Sequence, residues 1–227
     1  MLAAALPLVA LSVTRGDYPT QVLQDGPLAY YRFNDSLVRN NVNANSSGLG
    51  AAANATNTFN LHPFPGTLAG DGNRSRFFDT TGWSMIPYNA VLNPGNTRPF
   101  TIEAWFYPAS DQINGGQCPL NNRLAGSAPN RSGWVFFQRS PDATYKGKSG
   151  DEGIGWNCRM YRGSGSSSGL DVVSQVPYQV GKWTHVVVVY DPVDPVTIDL
   201  RISNATLRAK KKRDRIGEGI PAAVAGT

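Results

Sequence analysis

The chain has little with which to do metal or thiol chemistry. Among 227 residues it carries two cysteines, two histidines and three glutamates (Glu103, Glu152 and Glu218). Cys118 and Cys158 lie too far apart for a metal knuckle and have no second ligand pair, so a zinc ribbon or finger is excluded. No window of useful length shows apolar residues at a helical period, which argues against an α/β alternation. No serine is framed by a nucleophile elbow, so Ser-His-Asp hydrolysis has no support. The apolar run at residues 1–13, ended by Arg15 and Gly16, is too short to span a bilayer. No internal repeat of solenoid length is visible.

The excess of positive charge is not spread over the chain. Arg208, Lys210, Lys211, Lys212, Arg213 and Arg215 with Asp214 account for the whole net charge of +5. The remainder is neutral, which points away from nucleic acid as a partner. Residues 1–16 read as a signal-peptide-like leader, in small-residue character and length, although the basic start of such a leader is missing; a strand-adding or irregular terminus is the other reading. A leader implies a secreted chain. There Cys118 and Cys158 would form one disulfide, the alternative being two buried thiols. Asn-x-Ser/Thr sequons occur at Asn34, Asn45, Asn54, Asn73, Asn130 and Asn204.

What is present is turn punctuation and alternation. The 24 glycines and 16 prolines divide a 41% hydrophobic chain into short segments, the pattern of many strands joined by irregular loops. Asp17 is a plausible N-cap for one helical turn that holds Pro19. Strands are expected at residues 28–33, 74–78, 83–88, 100–107, 134–138, 154–161, 170–176, 181–191 and 196–202, with 34–60 and 110–130 as long surface excursions. The segment 100–107, fenced by Pro99 and Pro108, organises the rest. Phe100, Ile102, Ala104 and Phe106 form a core face, and Thr101, Glu103, Trp105 and Tyr107 the other. Trp105, Tyr107 and Glu103, with Asn157, Arg159 and Tyr161 along one face of another strand, are the candidate ligand-binding set. Aromatic rings stack on the apolar faces of sugars while amides and carboxylates fix hydroxyls; the same aromatics could equally pack beneath a covering loop. His185 alternates with Trp183 and Val187, and is expected to be a satisfied residue of a buried strand.

These segments have a recognisable order. Tyr18-Pro19, Val22-Leu23, Asp25-Gly26-Pro27 and residues 29–33 (Ala-Tyr-Tyr-Arg-Phe) resemble the entry strand of laminin G-like jelly-roll domains of the concanavalin A-like lectin and glucanase superfamily. Residues 76–79, 99–105 and 181–187 resemble three further signatures of that group. The resemblance runs from about Asp17 to Ile202. It implies one all-β, two-sheet antiparallel jelly-roll domain over 17–207, with 208–227 an irregular basic tail. The closing strands of the family are not recognisable after Ser203.

For function the resemblance implies a non-enzymatic extracellular module that binds a glycan or a protein surface, as part of a larger secreted polypeptide. The alternatives are a glycoside hydrolase relative and a purely structural interaction domain. Related glucanases carry their paired carboxylates as Glu-x-Asp-x-x-Glu on one strand, and hydrolysis needs two such groups across the sugar; no segment here has that spacing. Relatives also hold Ca²⁺ at the sandwich rim through oxygen ligands, for which Asp71, Asn73 and Asp79 are the nearest cluster.

Overall fold

The structure, a computed structural model, describes residues 17–35, 41–58, 62–67, 74–78, 82–93, 97–109, 117–123, 132–139, 153–162, 170–193, 197–202 and 205–210. The chain divides into two units, Met1–Ile86 and Pro87–Thr227.

In the first unit, helix α1 (Tyr18–Gln24) starts where its cap demands. The Asp17 carboxylate accepts the Thr20 N–H at 3.0 Å, and a proline occupies the first turn. Strands β1 (Val42–Asn43), β2 (Ala55–Thr58) and β5 (Trp83–Met85) form an antiparallel sheet, and β3 (His62–Pro65) pairs with β4 (Arg74–Phe77). The strand expected over 28–33 does not form. Phe33 takes φ +56°, which breaks the extended run, and only an isolated bridge joins Tyr31 to Asn45. The buried Asn45 side chain fastens that bridge by accepting the Tyr30 N–H at 2.8 Å and donating to Gly50 O at 3.2 Å. Its sequon is therefore sealed in the fold. Tyr31 donates its hydroxyl to Ala53 O, and burial pushes its pKa up to about 12.

The second unit is an all-β, two-sheet antiparallel sandwich. Strands β6 (Phe100–Phe106), β7 (Gln117–Asn121), β8 (Ser132–Gln138), β9 (Trp156–Arg162), β10 (Leu170–Val173), β11 (Thr184–Asp191), β12 (Thr197–Ile202) and β13 (Ala205–Lys210) pair in the orders β10-β9-β8-β7 and β13-β12-β11-β6. Period-two alternation decides what fills the space between the sheets. From the first sheet come Phe136, Trp156, Cys158, Met160, Leu170 and Val172; from the second come Val186, Val188, Tyr190 and Leu200. Phe100, Ile102 and Phe106 pack against this core, with the Phe106 ring 4.9 Å from Trp156 and 6.1 Å from Phe136. Each fully buried aliphatic or aromatic side chain here is worth roughly 1.5–3 kcal/mol. The expected core face of β6 is therefore the observed one.

Two departures come from edges. The excursion expected over 110–130 contains β7, whose Pro119 is tolerated because the strand lies at the sheet edge and its register to β8 shifts between Gln117 and Leu120. At the other end, β13 adds to β12, with Leu207 opposite the buried Leu200. Strand structure thus continues to Lys210, past the expected start of the irregular tail at 208.

Candidate functional site

The doubly apolar run of β11 puts it in the middle of the second sheet, between β12 and β6. Its pairing with β6 sets Glu103 opposite Val187 and Trp105 opposite His185. Since Val186, Val188 and Tyr190 face the core, His185, Val187 and Val189 share the outer face with Thr101, Glu103 and Trp105. The Trp105 and His185 rings stack with centroids 4.6 Å apart and planes at 20°. The His185 Nε2 lies 2.8 Å from Glu103 Oε1, across the diagonal of the ladder. One step further along the same register, Tyr107 and Trp183 meet edge to face at 5.4 Å.

The approach of these last two rings is set by a turn. Gly181 has φ +73° and donates its N–H to Pro108 O at 2.9 Å, bringing the chain back beside Tyr107. All four rings are partly exposed. The His185 and Glu103 side chains retain 27% and 41% exposure, so the pair is reachable from solvent. What results is a strip of rings with one carboxylate, an arrangement that can stack on apolar sugar faces and accept hydroxyl hydrogen bonds.

His185 is therefore not the core residue expected of a buried strand. Its strand is buried on one face only, and the cross-strand partner that makes the imidazole part of a cluster is eighty residues away in the chain, fixed only by the pairing register. Trp183 enters for the same reason. Their alternation with Val187 was the one available signal.

The second triplet of the candidate ligand set does not join the first. Asn157, Arg159 and Tyr161 alternate with the core residues Trp156, Cys158 and Met160, so they occupy the outer face of the first sheet. Two packed sheets, about 10 Å apart, separate them from Trp105, and one ligand cannot touch both sets. Their environment is also internal. Asn157 is fully buried, accepting from Arg139 Nε and Nη2 at 3.1 and 2.9 Å and donating to Val172 O at 2.8 Å and to Asp171 Oδ1. Tyr161 is buried with Val135 and Phe137.

Arg159 bonds Asp171 Oδ2 through Nε at 2.9 Å and Nη2 at 2.6 Å. Burial lowers the Arg159 pKa, but the hydrogen bonds and charges of Asp171 and Tyr161 together outweigh it and hold the guanidinium above its ordinary value. This triplet ties β8, β9 and β10 together.

The disulfide is not formed, and both cysteines are free. Cys118 is exposed on β7 and Cys158 is buried on β9, with β8 between them. Two strand spacings, about 9.6 Å, exceed the Cα separation of about 7 Å that a bridge allows. Burial, reinforced by the charge of Asp171, pushes the Cys158 thiol pKa well up; burial also raises that of Cys118. The expected calcium ligands Asp71, Asn73 and Asp79 lie outside the described residues. Among the described residues, no group of three or more His, Cys, Asp or Glu side chains could hold a metal ion, and no helix is long and apolar enough to cross a membrane.

Compared with protein families, residues 78–202 match the laminin G-like model described as the concanavalin A-like lectin/glucanases superfamily. That span covers β5 through β12 and includes every residue of the β6–β11 strip. Compared with curated proteins and with solved structures, the chain matches none.

Proposed function

Because the chain belongs to the concanavalin A-like lectin/glucanase superfamily, we propose that it is a non-enzymatic recognition module that binds a glycan on the outer face of β6 and β11. Laminin G-like domains are commonly extracellular, and the leader-like residues 1–16 favour a secreted protein, with neighbouring domains of the same polypeptide presenting or using the module. The observation that carries the reading is the partly exposed Trp105–His185 stack with the Glu103 carboxylate 2.8 Å from the imidazole. The stack stiffens the indole, so little side-chain entropy is lost when a sugar ring settles on it. Glu103 accepts hydroxyl hydrogen bonds, and the adjacent imidazole orients it.

Hydrolysis is disfavoured by the same strip. Glycoside cleavage needs a second carboxyl group across the scissile bond; among the described residues, those of β6 and β11 around Glu103 on this face are Thr101, Trp105, His185, Val187 and Val189, and the next carboxylate by register is Asp199 of β12, opposite Val189 and two strands from β6.

A glycan array tests the reading. Binding by the wild-type chain, lost in Trp105→Ala with the far-UV spectrum unchanged, is the expected outcome. A folded protein that binds nothing on a broad array would point instead to a protein ligand.

A further inference from the structure

The sequons divide once their side chains are placed. Asn45 is buried, its Nδ2 donates to Gly50 O at 3.2 Å, and its Oδ1 accepts from the Tyr30 and Ser47 N–H groups. No sugar can be attached there in the folded chain. Asn54-Ala55-Thr56 also lies wholly within the described residues, and its asparagine is placed differently. Asn54 follows the 3₁₀ helix Gly50–Ala53 with extended backbone (φ −61°, ψ 138°) and leads into β2. Its Oδ1 accepts the Asn45 N–H at 2.8 Å. Its Nδ2 makes no hydrogen bond among the described residues and is not one of the buried unpaired polar atoms. A sugar on Nδ2 therefore leaves the bond at Oδ1 intact.

Period two settles what lies beside it. Ala55 and Asn57 are buried, and Asn43 Nδ2 donates to both Asn57 Oδ1 and Ser84 Oγ, so Thr56 and Thr58 take the opposite, outward face. The register sets Met85 opposite Thr56 on one side and Val42 on the other, with Trp83 opposite Thr58. Met85 is 57% exposed and Trp83 55%. A thioether and an indole side by side on one sheet face form an apolar patch that calls for a cover. It begins about 6.8 Å from Asn54, at the level of Thr56, and reaches about 13.6 Å, at the level of Thr58.

From this we infer that Asn54 is an N-glycosylation site and that the core of its glycan lies over Met85 and Trp83. The reaction joins Nδ2 to C1 of the first N-acetylglucosamine. The C1–O bond to the polyprenyl diphosphate of a lipid-linked oligosaccharide breaks, the diphosphate leaves with the electron pair, and Nδ2 gives up one proton to the transferase. The exposed Thr56 hydroxyl, two residues on, completes the sequon. The attached rings then set their apolar faces on the thioether and the indole. The inference rests on the secretory reading above and is independent of glycan recognition by β6 and β11.

The test expresses the full chain in cultured mammalian cells, once as it stands and once with a strong signal peptide ahead of Met1. Occupancy is read at each asparagine by glycosidase treatment in heavy-oxygen water and peptide mass spectrometry. Asn54 should be occupied and Asn45 empty. Thr56→Ala should remove the Asn54 glycan and Thr56→Ser should retain it. The glycosylated Thr56→Ser chain should melt about 2–4 °C above Thr56→Ala, and the same pair made in bacteria, without glycan, should melt together. Trp83→Ala, at an exposed position, should abolish the difference, and Met85→Ala should reduce it.

Occupancy of Asn54 only behind the added signal peptide would support the site and remove the secretory reading. An empty Asn54 in both forms, or an occupied Asn45 in the folded secreted protein, would overturn the site. An Asn54 glycan whose loss leaves the melting temperature unchanged, or whose effect survives Trp83→Ala, would overturn its place on the sheet.

Discussion

Trp105 and Phe106 are adjacent in sequence and face opposite sides of one sheet, so truncating each in turn tests the β6 register directly. Phe106 contacts Trp156 at 4.9 Å and Phe136 at 6.1 Å between ring centroids and packs on the main core. Removing its ring opens a cavity between two sheets that cannot collapse onto each other without moving both. Full burial would put the cost at about 3–5 kcal/mol; Phe106 is only partly buried, so about 3 kcal/mol is expected. Trp105 loses its stack on His185 and some contact with the sheet surface, worth about 0.5–1.5 kcal/mol.

For a unit of this size each kcal/mol moves the melting temperature by about 2–4 °C. Phe106→Ala should therefore melt about 6–12 °C lower, and Trp105→Ala no more than about 6 °C lower. Urea unfolding followed by far-UV circular dichroism avoids the loss of an indole signal and gives the same ranking. In function the order reverses: Trp105→Ala should abolish array binding while Phe106→Ala, below its melting point, keeps it. A strand slipped by one residue would exchange the two side chains between faces. If Trp105→Ala proves as destabilising as Phe106→Ala, or if only Phe106→Ala loses binding, the assignment of faces is wrong and the site with it.

Other outcomes follow from the same geometry. Gly155 has φ +84°, and a Cβ there would lie 2.1 Å from Val176 O and 2.2 Å from Ser174 Oγ; Gly155→Ala should cost upward of about 3 kcal/mol in urea titration. Intact-mass analysis after alkylation should find Cys118 modified in the folded protein and Cys158 only after unfolding, with no mass deficit from a bridge. Because burial raises the Cys158 pKa above its unfolded value, its stabilising contribution is complete below about pH 8.5 and declines above it. The slope reaches at most about 1.4 kcal/mol per pH unit, since the unfolded thiol ionises first; urea midpoints between pH 7 and 10 should show this loss, and Cys158→Ala should flatten it. Arg159→Ala should lower stability without changing glycan affinity, because Arg159 holds Asp171 on the far sheet; a loss of binding at unchanged stability would return it to the ligand site.

What the sequence determined was most of what depends on local periodicity, the strand expected over 28–33 being the exception. The alternation in 100–107 fixed which residues of β6 are core, and the unbroken valines of β11 fixed a central strand. The Asp17 cap and Pro19 fixed α1. The absence of a Glu-x-Asp-x-x-Glu spacing is likewise a property of the sequence alone. Side-chain periodicity and capping are properties of a few neighbouring residues, so they survive without tertiary information.

The tertiary structure decided what depends on which strands lie side by side. Pairing of β6 with β11 brought His185 and Trp183 to Trp105, Tyr107 and Glu103. The intervention of β8 kept Cys118 from Cys158. The sandwich itself put Asn157, Arg159 and Tyr161 on the opposite outer face, where Arg139, Asp171 and Val172 occupy the two buried or half-buried polar members. Alternation gives each strand two faces, but only sheet order and register say which face of which strand meets another.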